Sequence, residues 1–172
     1  MTVTQSTDRK YDIIVWGASG FTGRIVVDYL HKEYGSGNLS WAVAGRNPAK
    51  LESVVDQRDI PILTADSHDS ESLNQLVQET KVILTTVGPY ARYGSELVAA
   101  CAQHGTHYCD LTGESLWMRE MITAHQHTAR DSGARIVHTC GFDSIPSDIG
   151  VYFLQKEMRA RHGVAARHIK YR

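Results

Sequence analysis

Residues 14–24 read IVWGASGFTGR. An apolar, β-branched run stops at three glycines, Gly17, Gly20 and Gly23, and a helix-periodic stretch follows. Glycine is costly inside a helix or strand, so three of them at one junction imply a turn that only glycine tolerates. In the first β-to-α turn of a nucleotide-binding sheet, glycines give the tight turn, the approach to a pyrophosphate and the close packing of helix on strand. The amide groups of the following helix N-terminus then hold the phosphates. The spacing here is GxxGxxG rather than GxGxxG, so with Gly20 and Gly23 as the second and third glycines Ala18 takes the first place. Gly17, Ser19, Gly20, Phe21, Thr22 and Gly23 are the expected cradle.

Working outward, strand-like runs recur at 12–16, 40–45, 60–65, 81–87, 106–111 and 134–140, mostly apolar on both faces. That pattern suits a parallel sheet covered on both sides. Helical stripes lie between them: Ile25, Val26, Tyr29 and Leu30; Leu73, Leu76 and Val77; Leu97, Val98, Cys101 and Ala102; Met118, Met121, Ile122, His125 and Ala129. Pro48 suits the first turn of a further short helix. The alternation predicts an α/β fold, a doubly wound parallel sheet of about six strands with helices on both faces. Residues 1–10 read as a disordered lead-in, 11–163 as the nucleotide-binding domain, and 164–172 as the start of a further C-terminal domain. An amphipathic helix is expected over 148–163, capped by Ser147 or Asp148.

The end of the second strand selects the dinucleotide. A carboxylate there would take the adenosine ribose hydroxyls of NAD. The chain has AGRNPAKL (44–51), with Arg46 in that place. A guanidinium matches a 2′-phosphate in geometry and charge, so the expected cofactor is NADP(H). Lys50 adds a second positive charge and Asn47 a hydrogen bond. The same arginine disfavours a nucleotide-sugar or S-adenosylmethionine site. Asp66, after the third strand, stands where an acidic residue approaches the adenine, or else closes a turn.

The fourth strand ends TTVGPYARYG (85–94), which lays Val87, Gly88 and Pro89 beside the nicotinamide, at the carboxyl edge where open α/β sheets bind ligands. Tyr90 and Tyr93 follow, as packing residues or as proton donors. CDLTGE (109–114) and TCGFDSIPSD (139–148) bring Asp110, Glu114, Asp143, Ser144 and Asp148 to the same edge. Asp143 and Ser144 suit either the nicotinamide carboxamide or an Asx-turn.

Composition bounds the rest. In 172 residues, 42% are hydrophobic and 22% charged, with a formal net charge of −1, so no overall field recruits nucleic acid. No apolar run is long enough to span a bilayer. The leading MTVTQSTDRK is polar and lacks the apolar core of a secretory signal. Cys101, Cys109 and Cys140 are widely spaced in apolar surroundings, as expected of buried, reduced thiols in a cytoplasmic protein. His125 and His127, two apart on a helix, point to different faces, and no metal site is expected.

GASGFTGR, AGRNPAKL, VGPYARYG, HYCDLTGE and CGFDSIPSDIG, in this order, resemble the saccharopine dehydrogenase-like oxidoreductases, nearest to their actinobacterial trans-acting enoyl reductases. The likeness spans roughly residues 11–158. It implies a Rossmann domain that binds NADP, followed by a larger C-terminal domain that shapes a substrate pocket. It also implies reduction by NADPH of a carbon–carbon double bond in a small-molecule or carrier-bound acyl substrate. Turnover is then expected of a longer protein rather than of this chain alone. The competing expectation is a module that holds NADP(H) as a sensor or scaffold without turnover. Apolar surface left by a missing domain would favour a homodimer.

Overall fold

The computed structural model describes residues 9–35 and 37–170. Six strands form one all-parallel sheet: β1 (Tyr11–Trp16), β2 (Trp41–Gly45), β3 (Ile62–Thr64), β4 (Thr80–Thr85), β5 (His107–Cys109) and β6 (Ile136–Val137). Their order is β3-β2-β1-β4-β5-β6, so the connection reverses direction at β1, which pairs with both β2 and β4. Among the described residues seven helices connect and follow them: α1 (Phe21–Tyr34), α2 (Pro48–Val55), α3 (Ser70–Gln78), α4 (Tyr90–Tyr93), α5 (Ser95–His104), α6 (Ser115–Ser132) and α7 (Ile145–His162). Parallel strands need crossovers, and helices supply them on both faces. The expected doubly wound architecture is the one observed.

Strand alternation divides the core in two. Ile14, Trp16, Ile83 and Tyr108 pack against Leu73, Leu76 and Val77 of α3, Leu97 and Cys101 of α5, and Trp117 of α6. On the other face Val15 and Val43 meet Val27 and Leu30 of α1 and Leu51, Val54 and Val55 of α2. A fully buried Leu or Val contributes roughly 1.5–3 kcal/mol. This second core covers β1 and β2 but not the β5–β6 end, where Val137 stands 51% exposed. α7 buries none of its residues, and Ile149, Tyr152 and Phe153 along it are exposed. Among the described residues, no helix is long and apolar enough to cross a membrane.

Three local expectations change. The inward face of α1 is Gly23, Val27 and Leu30, while Ile25 and Tyr29 face outward. Gly23 sets that phase: a Cβ on it would stand 2.2 Å from the Gly17 carbonyl oxygen, so this side of the helix must lie on the strand end. In α6 the buried residues are Trp117 and Ala129, and Ile122 is exposed. α7 starts at Ile145, earlier than expected, and has Pro146 in its first turn; Ser144 precedes it without a side-chain cap. Proline has its φ pre-set for that turn and no N–H to lose, so the helix begins ahead of it. In the region read as a lead-in, Arg9 is tied down, donating to the carbonyls of Val77, Thr80 and His104 and to Thr106 Oγ1. Residues 1–8 lie outside the described part.

Candidate functional site

The glycine loop joins β1 to α1 at the reversal point of the sheet. Gly17 takes a left-handed φ of +87°. A Cβ there would also run into Val87 at 2.4 Å, so the β4 loop presses directly on the glycine loop. Thr86 supports that approach by donating its backbone N–H to Trp16 O at 3.0 Å. Gly20 is different. It is the N-cap of α1 at φ −74°, and a Cβ on it would meet only the Gly17 carbonyl oxygen, at 3.3 Å. Internal packing therefore constrains position 20 far less than position 23, where a Cβ would fall 2.2 Å from the same oxygen.

The N-terminus of α1 is bare. No side chain caps it and no acidic residue stands in its first turn. α2 and α3, in contrast, are capped by Asn47, which accepts from Lys50 N, and by Asp69, which accepts from the N–H groups of Glu71 and Ser72. The first-turn amides of α1 have no intrahelical acceptors, and the helix dipole favours an anion there. Arg46 follows β2 directly, exposed, and joins no ion pair among the described residues. Lys50 is exposed one turn into α2. Asn47 spends its side-chain oxygen on the cap, which leaves its amide nitrogen for other partners. Asp66 closes a turn by accepting from His68 N at 2.9 Å, beside the Gly45–Thr64 register pair. The bare helix end, Arg46 and Lys50 match the phosphates of NADP(H) in charge.

Beyond the glycine loop, an apolar-walled cleft of about 250 Å³ opens between α1 and the uncovered part of the sheet. Thr22 and Val26 of α1, Leu84 and Thr86 at the end of β4, Cys109 of β5 and Gly141 after β6 line it. Asp110 and Cys140 also border it. Burial, with Cys140 and Asp110 nearby, pushes the Cys109 thiol up to about 11. Burial and Asp110 raise Cys140 as well, so both thiols stay protonated near neutral pH. Cys140 is exposed and Cys109 half-buried, against the expectation of three buried thiols; Cys101 alone is fully enclosed.

The two tyrosines stand elsewhere. Tyr90 is buried in the core of the opposite face; its hydroxyl donates to Thr85 O at 3.2 Å and accepts from Leu111 N at 3.4 Å. Burial pushes its phenol up to about 12. Tyr93 is half-buried with its ring against His68, 5.5 Å between centroids. Neither is among the residues lining the cleft.

Two acidic residues at this edge, Glu114 and Asp110, are braces. Glu114 accepts the N–H groups of Tyr90 and Ala91 at 2.6 and 2.9 Å, capping α4 across two loops. Gly88-Pro89 before α4 is a cis peptide. Asp110, 3% exposed, accepts four hydrogen bonds: from Thr112 N, Thr139 N, Tyr108 Oη and His138 Nδ1. Thr139 has a positive φ of 60°, held by that bond. Asp143 and Asp148 are exposed. Sequence reading missed Thr86 and Leu84 as cleft walls and His138 as the partner of Asp110. Strand alternation places Leu84 and Cys109 on one face and was the available signal for the walls; nothing local marks His138.

A doubly wound sheet with a bare helix end at its reversal point defines a dinucleotide-binding domain. The chain belongs to the family of the saccharopine dehydrogenase NADP binding domain, which it matches over residues 13–137, and NADP(H) is the cofactor of that family. It is 44% identical over 156 residues to the trans-acting enoyl reductase of Mycobacterium ulcerans, covering 88% of this chain and 37% of that protein. The chain thus spans well under half the length of such relatives. Among solved structures it resembles the apo saccharopine dehydrogenase (L-Glu forming) of Saccharomyces cerevisiae, with TM-score 0.67 and 19% identity over 89% of this chain and 32% of that one. A Citrobacter sp. triphenylmethane reductase complexed with NADP(H) shares the fold, with TM-score 0.56 and 17% identity over 87% of this chain and 54% of that one.

Proposed function

We propose that this chain is the cofactor-holding part of an NADPH-dependent reductase acting on the carbon–carbon double bond of an unsaturated acyl substrate, small or carrier-bound. The bare α1 N-terminus beside a glycine that packing constrains little, with Arg46 at the neighbouring strand end, carries the reading. The name of the relatives, trans-acting enoyl reductase, supports the reaction class. In this reading Gly17, Ser19, Gly20, Phe21, Thr22 and Gly23 hold the pyrophosphate. Arg46 reads the 2′-phosphate with Lys50 and Asn47 beside it, and Asp66 borders the adenine. The backbone of Val87, Gly88 and Pro89 runs along the nicotinamide, whose hydride is the chemistry the cofactor supplies. Leu84, Val26 and Cys109 exclude water on one side of that ring.

Neither Tyr90 nor Tyr93 lines the cleft; Tyr90 supports its wall through Thr85 O and Leu111 N, and Tyr93 packs on His68. One observation favours a second reading, an NADP(H)-holding module without turnover. The titratable groups on the cleft are Cys109, Asp110 and Cys140; both thiols are raised and Asp110 is fully engaged. Oxidation of NADPH by an enoyl thioester, assayed in a protein that includes the C-terminal remainder of such relatives, separates the two. We place the protein in the cytoplasm, in keeping with its three free cysteines.

Titration of the chain with NADPH and with NADH, followed by nicotinamide fluorescence, tests the cofactor assignment. NADPH is expected to bind about tenfold or more tightly, the worth of a charge-assisted hydrogen bond of about 1.5–3 kcal/mol. Arg46→Ala removes the preference and leaves NADH binding in place. Equal losses for both cofactors would refute Arg46 as the reader of the 2′-phosphate.

A further inference from the structure

Gly17 takes its left-handed φ between two peptide planes, one carrying the Trp16 carbonyl and the next its own. Each plane is rigid, so fixing the direction of both carbonyls fixes φ and ψ at residue 17. Thr86, in the loop after β4, faces both. Its backbone N–H donates to Trp16 O at 3.0 Å. Its hydroxyl oxygen lies 3.3 Å from Gly17 O and 3.4 Å from Trp16 O, so the single O–H is shared between them as a three-centre bond. The same oxygen would stand 3.1 Å from a Cβ on Gly17, so it sits against the turn itself.

The Gly17 carbonyl is a node of the loop. It also accepts from Gly20 N at 3.0 Å, which uses its second lone pair. It is the atom that excludes a Cβ at position 23. Its direction thus sets where Gly20 closes the turn and where α1 begins. The first-turn N–H groups of Phe21, Thr22 and Gly23 are placed by that start and have no acceptors within the helix. Val87 presses on the same glycine, its Cγ2 standing 2.4 Å from where a Cβ would be. That contact sets how closely the β4 loop approaches but gives the carbonyl no direction. A hydrogen bond does, because it weakens as its angle bends.

We propose that Thr86 is a positioning residue for the cofactor, its hydroxyl holding the Gly17 carbonyl in the orientation that aims the α1 amides at the pyrophosphate. This role rests on the cofactor reading above. Thr86 also stands on the wall of the apolar cleft, so one side chain joins the phosphate end of the site to the end read as the nicotinamide pocket. The pyrophosphate is common to NADPH and NADH, whereas the 2′-phosphate is not. Loss of the hydroxyl therefore weakens both nucleotides by one factor, and the preference set at Arg46 survives it.

The test compares Thr86→Val, which keeps the branched shape and the backbone N–H but deletes the hydroxyl, with Thr86→Ser, which keeps the hydroxyl. Two quantities are read: the ¹³C′ resonance of Gly17 in the nucleotide-free chain, and the dissociation constants of NADPH and NADH from nicotinamide fluorescence. In Thr86→Val the Gly17 resonance should move upfield as its carbonyl loses a donor. Both nucleotides should then bind about fivefold more weakly, the worth of one ordinary hydrogen bond. Thr86→Ser should restore the resonance and both affinities. An unmoved resonance or parental affinities in Thr86→Val, a loss that serine does not repair, or a loss confined to NADPH would each overturn the role. A parent chain that binds neither nucleotide, with the Gly17 resonance still responding to the hydroxyl, would place the failure in the cofactor reading and take the positioning role with it.

Discussion

Gly20 and Gly23 stand three residues apart and answer to different forces. A Cβ at 23 would fall 2.2 Å from the Gly17 carbonyl oxygen and 2.8 Å from the Ala18 Cα, both backbone atoms that cannot swing away. Gly23→Ala should therefore cost about 2 kcal/mol, in the range of overpacked cores, and lower the melting temperature. At 20 the nearest atom is 3.3 Å away and φ is −74°, a conformation any residue adopts. Gly20→Ala should cost about 1 kcal/mol or less, the loss of a favourable N-cap residue, and so less than Gly23→Ala. If the cofactor lies over the α1 N-terminus as proposed, a methyl at its N-cap should lower NADPH binding about tenfold or more. Thermal melts and fluorescence titrations on the two variants measure the split. Stability loss at 20 with binding intact would make that glycine structural.

At the scale of elements, the residues that tie neighbouring loops together are those that no local pattern reveals. The alternation of strand and helix periods was legible, and so was the glycine loop, because both signals lie within one or two turns of chain. Glu114 reaches the amides of Tyr90 and Ala91, and Asp110 reaches His138 and Thr139, across separations that only the finished sheet closes. Reading strand ends placed both carboxylates at the correct edge but left their work open. The phase of α1 was hidden for a related reason: a contact at Gly23, not hydropathy, rolls Ile25 and Tyr29 outward. Asp110 gives these ties a measurable signature. Its folded pKa is depressed, so its contribution is fully present above the unfolded value of about 3.9 and is lost as pH falls through the lower folded value. Acid unfolding should steepen below about pH 4. Asp110→Asn should remove that dependence and cost about 2 kcal/mol at neutral pH, because the amide presents donors where His138 and Tyr108 donate. A variant as stable as the parent in urea titrations at pH 7 would show that the four bonds add nothing net.

The whole molecule is two-sided in unequal measure. One face of the sheet is closed by α3, α5 and α6, while the other is closed by α1 and α2 mainly over β1 and β2, with Ile62 of β3 and Leu84 of β4 at its margin. The β5–β6 end shows Val137 to solvent, and α7 adds Ile149, Tyr152 and Phe153, each more than half exposed. Apolar surface gathered in this way drives association. The chain should sediment with a mass that rises with concentration. Because α7 buries no side chain, Ile149→Lys with Phe153→Lys should shift the sedimentation toward monomer and leave the melting temperature within the small range of surface substitutions. NADPH affinity should not change, since neither residue lines the cleft beside the glycine loop. A fall in melting temperature would instead place α7 against the domain in solution, over the bare half of the sheet, and association unaffected by the two lysines would move the sticky surface to Phe21, Ile25 and Tyr29 on the outer side of α1.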